Sequence, residues 1–84
     1  MELVTVKVLF FAVSKEISGQ SESELQVKSK IFYEELKQLI CNQFGLEIIK
    51  KNIILAVNQD YCDEGELELK NNDEIAVIPP LSAG

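Results

Sequence analysis

Ile75-Ala76-Val77-Ile78-Pro79-Pro80-Leu81-Ser82-Ala83-Gly84 is the stretch on which the reading of this chain turns. Four apolar residues with the marks of a buried strand run into two prolines, and only Leu, Ser, Ala and Gly follow. Adjacent prolines hold φ at about −65° and supply no backbone donor, so they take the chain out of a sheet and stiffen it as an extended spacer. Fully extended, Pro79 to Gly84 spans at most roughly 20 Å, whereas a globule of this length has a radius of gyration of about 12 Å. A carboxylate on Gly84 can therefore reach well into another protein. The chain divides accordingly into one domain, residues 1–80, and a flexible tail, residues 81–84. A frayed, inert end fits these residues; a thin residue without a Cβ, made to enter a narrow active site and have its carboxylate activated, fits them too.

The segments before this stretch supply what the last strand packs against. Asn71-Asn72-Asp73 reads as the turn into it, and Leu67 and Leu69 as a short edge strand. Ile53-Ile54-Leu55-Ala56-Val57 is a continuous apolar run, expected as a central strand covered on both sides or facing a partner. Asn58-Gln59-Asp60 makes a tight turn after it. Phe32, Leu36, Leu39, Ile40 and Phe44 recur at helical spacing, with Ser29 as the expected N-cap and Gly45 as the left-handed C-cap. Ile48 and Ile49 are expected to tuck against the helix end. Earlier still, Glu22 to Lys28 alternates as a half-exposed strand, and Ala12 to Gln20, with Ser14, Ser18 and Gly19, reads as a loop. From Leu3 to Phe11, Val4, Val6, Val8 and Phe10 share one face, while Leu3, Thr5, Lys7 and Leu9 share the other.

Two antiparallel strands, a crossing helix and a returning last strand describe an α+β fold of the β-grasp, ubiquitin-like type. It consists of a mixed sheet of about five strands with one main helix packed on it. The right-handed crossover rule lays the last strand parallel to the first in the middle of the sheet, with its end at one rim.

Composition narrows the chemistry. The 84 residues allow one compact domain, with room for a core but not for an enclosed active site. A carrier, a binding module or a subunit is expected. The charge of −6, from 8 basic and 14 acidic residues, includes no Arg, so nucleic acid and membrane are poor partners. A basic patch on a partner protein would attract such a chain. The absence of His rules out the common zinc spacings and Cys-His or Ser-His nucleophile pairs, and no metal is expected. Cys41, on the helix, reads as a small core residue, and Cys62 as a solvent-accessible loop residue. No signal peptide precedes the first strand, so a cytosolic chain with two free thiols is expected.

Asp73-Glu74-Ile75-Ala76-Val77-Ile78-Pro79-Pro80 followed by a short tail to Gly84 resembles the end of the sulfur-carrying small subunit of molybdopterin synthase. Phe10-Phe11-Ala12, Ile17-Ser18-Gly19 and Val57-Asn58-Gln59 resemble further family motifs. The resemblance implies that Gly84 is the reacting residue. An adenylating, sulfur-transferring enzyme would consume ATP to join its carboxylate to AMP, and a sulfur donor would displace AMP to leave a thiocarboxylate, the carried group. That sulfur would pass to cyclic pyranopterin monophosphate. The resemblance also implies that Pro79, Pro80, Leu81, Ser82 and Ala83 enter a pocket of a large subunit, in a complex of two small and two large subunits. No cofactor is implied for the chain by itself. The family closes with Gly-Gly, whereas this chain has Ala83-Gly84, and Ala disfavours positive φ by roughly 1 kcal/mol. Two other readings share the tail: a related carrier for tRNA thiolation, thiamine synthesis or lysine conjugation, and an interaction module whose tail is inert.

Overall fold

The structure, a computed structural model, describes residues 2–62 and 64–79, without the side chain of Cys62. Strand β1 (Leu3–Phe10) is followed by a short helix α1 (Val13–Ser18), then β2 (Glu22–Lys28), β3 (Lys30–Phe32) and helix α2 (Tyr33–Phe44). A 3-10 turn (Glu47–Asn52) leads to β4 (Ile54–Val57), β5 (Asp60–Cys62), β6 (Glu66–Glu68) and β7 (Glu74–Ile78). The main sheet has the order β2-β1-β7-β4-β5, and β3 pairs with β6 as a separate two-stranded ladder. β7 is therefore central, parallel to β1 and antiparallel to β4. This is the expected β-grasp arrangement.

Alternation along each strand determines which face is covered. Val4, Val6, Val8 and Phe10 of β1, Ile75 and Val77 of β7 and Leu55 of β4 are buried together with Leu36, Ile40 and Cys41 of α2. The Phe10 ring meets Phe44 edge-on, with centroids 4.9 Å apart. Lys37 is also buried, and its ammonium lies 5.8 Å from the centroid of the Tyr33 ring, a cation–π distance. Lys28 and Glu35 pair at 2.7 Å, joining β2 to the first turn of α2. The opposite face of the sheet, with Lys7, Leu9, Ala76 and Ile78, is left open.

Several local expectations are corrected. The segment read as a loop contains α1: Ser14 N donates to Phe11 O (3.1 Å), and Ala12 at that turn has φ 51° and ψ −130°. That conformation favours Gly and costs an Ala roughly 1–3 kcal/mol. Ser29 is not the helix cap. Its N–H donates to Glu2 O and its carbonyl accepts from Leu69 N, while α2 starts at Tyr33, behind Phe32, without a side-chain cap. Pairing of residues 30–32 with β6 delays the helix, and Phe32 is exposed while Tyr33 takes the buried position. Leu67 joins that ladder and Leu69 is buried beyond it, so they do not form one edge strand. Ile48 is 85% exposed; Leu46 and, in part, Ile49 fill the helix end instead. Cys62 belongs to β5, opposite Leu55, rather than to a loop. Gly45 closes α2 at φ 73°, as expected.

Candidate functional site

The site is the rim at which β7 leads out of the sheet, together with the open face beside it. Three short polar residues fix the start of β7. Asn71 Oδ1 accepts from Thr5 N (2.8 Å), and Asp73 Oδ2 accepts from Lys70 N (2.8 Å) while its carbonyl accepts from Lys7 N (2.8 Å). Asn58 N donates to Glu74 O and its Oδ1 accepts from Glu74 N (2.9 Å). The turn Asn58-Gln59 has positive φ at both positions, the geometry of a tight hairpin, and Asn tolerates it. Its side chain thus braces β7 as well as turning the hairpin. At the other end, the last parallel pair is Phe10 with Val77.

Pro79 follows β7, is buried, and is in no regular element. The expectations for Pro80, Leu81, Ser82, Ala83 and Gly84 lie outside the described residues. Of the expected tail residues, the structure places Pro79 alone: it sits at the rim where the domain hands the chain over.

Beside that rim the open face carries a groove of about 270 Å³, lined by Leu9, Phe11, Ala56, Tyr61, Ala76 and Ile78, with Gln59 and Glu74 at its edge. Phe11 is 48% and Tyr61 73% exposed. Farther across the sheet the same face becomes charged, with Lys7 opposite Glu24 and 4.0 Å from Glu22. The apolar half therefore lies next to β7 and the charged half next to β2. An exposed apolar patch with a polar border is the usual mark of a protein-docking surface. The sequence showed this surface only partly: Leu9 was placed on the second face of β1, but Ala76, Ile78 and Tyr61 join it only through strand register.

The Cys41 thiol lies in the core, away from this rim. Burial is the main cause that pushes the Cys41 thiol up, with Glu47 adding to it and Lys37 and Lys50 opposing, so the thiol stays protonated in the core. Among the described residues no group of His, Cys, Asp and Glu is placed to hold a metal ion. Among the described residues no helix is long and apolar enough to cross a membrane.

The sheet order and the apolar face beside its central strand define a β-grasp domain of the ubiquitin-like type. The chain belongs to the ThiS family, whose model matches residues 8–84. Among curated relatives, the molybdopterin synthase sulfur carrier subunit of Anopheles gambiae is 48% identical, over 96% of this chain and 93% of that protein. A chain of a solved complex of subunits 1 and 2 of the molybdopterin-converting factor from Helicobacter pylori is similar in structure. It has a TM-score of 0.66 and 26% identity, over 96% of this chain and 100% of that one. The small archaeal modifier protein 1 of Methanosarcina acetivorans superposes over the full length of both chains with a TM-score of 0.76 at 24% identity, a likeness of fold.

Proposed function

We propose that this chain is the sulfur carrier subunit of a molybdopterin synthase and that Gly84 carries the sulfur. The observation that carries the reading is the placement of β7 between β1 and β4, which brings Pro79 out at the rim beside the apolar groove. One partner can then cover the groove and receive the tail at the same time. The names of the relatives, molybdopterin synthase sulfur carrier subunits, point to sulfur as the carried group. A free carboxylate is a poor electrophile. In the proposed cycle an activating enzyme uses ATP to join the Gly84 carboxylate to AMP, and a sulfur donor then displaces AMP, leaving a thiocarboxylate. Its sulfur is a good nucleophile, delivered to cyclic pyranopterin monophosphate within a large subunit. Two sulfurs per dithiolene call for two carriers, hence an assembly of two small and two large subunits. The carrier holds no cofactor, and the cytosol, where thiols stay reduced, suits its chemistry.

Two measurements test this. Incubation with ATP, a molybdopterin-type adenylating enzyme and a sulfide source is expected to shift the intact mass by one oxygen replaced by sulfur, located at Gly84 by fragmentation. If Ala83 hinders the reaction, Ala83→Gly converts faster; no conversion of either chain would refute the carrier reading. For docking, Phe11→Ala is expected to weaken binding to the large subunit roughly tenfold, the cost of one aromatic contact at an interface. Calorimetric titration giving an unchanged Kd would remove Phe11 from the docking surface.

A further inference from the structure

The hydroxyl of Ser14 is fully buried, and it sits where β1 and β7 part. Its Oγ accepts from Phe11 N at 3.0 Å and lies 2.6 Å from Phe11 O and 3.4 Å from Val77 O. The hydroxyl has one proton and two carbonyls in reach. The proton is shared between the shorter contact with Phe11 O and the longer one with Val77 O, and the latter links the turn after β1 to the last core residue of β7, across 63 positions of sequence. The attachment falls where the backbone ladder stops, just past the Phe10–Val77 pair and two residues before Pro79. The turn that carries Ser14 holds Ala12 in a backbone conformation suited to Gly, so the hydroxyl is braced by an otherwise unfavourable geometry. None of the docking groove is formed by Ser14.

We propose that Ser14 is a positioning residue for the tail: through Phe11 and Val77 its hydroxyl sets the direction in which Pro79 sends the chain toward Gly84. This rests on the sulfur-carrier reading, in which the tail must find a narrow pocket while the groove docks separately. Aligning a reacting group in advance acts on turnover, whereas docking acts on the concentration needed for half-saturation. Loss of the hydroxyl should therefore separate the two.

The test compares Ser14→Ala with the unsubstituted chain in ATP-dependent pyrophosphate release by the adenylating enzyme. The expected result is a fall in kcat of about fivefold, the worth of one hydrogen bond, at unchanged KM for the carrier. Ser14→Cys, similar in size but with a weak donor, should lie between the two and serves if the Ala variant does not fold. Amide relaxation by NMR on the isolated chains should show wider motion at Val77 and Ile78 in Ser14→Ala, without any partner present. Unchanged relaxation and unchanged kcat would overturn the proposal, as would a raised KM at constant kcat, which would assign Ser14 to docking. Failure of the unsubstituted chain to release pyrophosphate would instead sink the carrier reading, while the relaxation data would still decide whether Ser14 orients the tail.

Discussion

A chain lacking Ala83 and Gly84 is expected to fold, to bind the large subunit and to yield no molybdopterin. The core formed by the described residues is complete before position 80. The buried cluster runs from Val4 to Val77, and Pro79 is buried behind it. The thermal midpoint should therefore stay where it is. Binding should also persist, because the groove of Leu9, Phe11, Ala56, Tyr61, Ala76 and Ile78 is intact. The chemistry has no substitute. The new terminal carboxylate belongs to Ser82 and stops roughly 7 Å short, at about 3.5 Å per extended residue. Its larger side chain must also enter a channel proposed to fit Gly. Assay of the reconstituted synthase for product, beside a binding titration, distinguishes the outcomes: product from the truncated chain would refute the role of Gly84. A loss of binding as large as the loss of product would make the tail the main docking element.

Leu36→Ala is expected to be the most damaging of the single substitutions considered. Leu36 is fully buried in the N-terminal half of α2, packed in the cluster that holds the helix on β1, β4 and β7. Truncating a buried Leu costs about 2–5 kcal/mol, the spread reflecting how far the cavity collapses. A domain of this size has a total stability of roughly 4–13 kcal/mol. The midpoint should thus fall by roughly 10 to 30 °C in thermal unfolding followed by circular dichroism. Glu34→Ala, one turn face away and exposed, should change it little. If Leu36→Ala melted with the unsubstituted chain, α2 could not be seated on the sheet through this residue.

Much of the architecture was legible because burial is one-sided. Val4, Val6 and Val8 repeat every second residue, Leu36 and Ile40 every fourth, and Gly45 sits where a left-handed residue ends the helix. α1 was hidden because its pattern is inverted. Polar Ser14 points inward, while Val13 and Ile17, four apart on one helical face, are exposed, so apolar spacing marks the wrong side. The true start of α2 was hidden for another reason. Residues 30–32 are held by residues 66–68, a pairing between distant segments that no local signal at Ser29 reveals. Gly84 was singled out through the resemblance carried by residues 73–80, since a short tail of small residues alone fits an inert end equally well. The groove needed the register that sets Ala56 between Ala76 and Tyr61.

The central position of β7 also governs when this protein can begin to exist as a folded object. A ribosome makes β1, β2, β4 and β5 first, yet in the finished sheet the β1–β2 pair and the β4–β5 pair touch only through β7. A nascent chain that has emerged as far as Lys70 holds three strand pairs, β1–β2, β4–β5 and β3–β6, and a helix with only part of its seat. Closing the sheet joins residues 7–10 to residues 74–77, a loop of most of the chain, and such non-local closure is slow. Folding thus waits for the segment that immediately precedes the tail. A message broken off before residue 74 gives a product that cannot complete its sheet, so the pool of folded carriers is screened during synthesis for chains that extend to the rim.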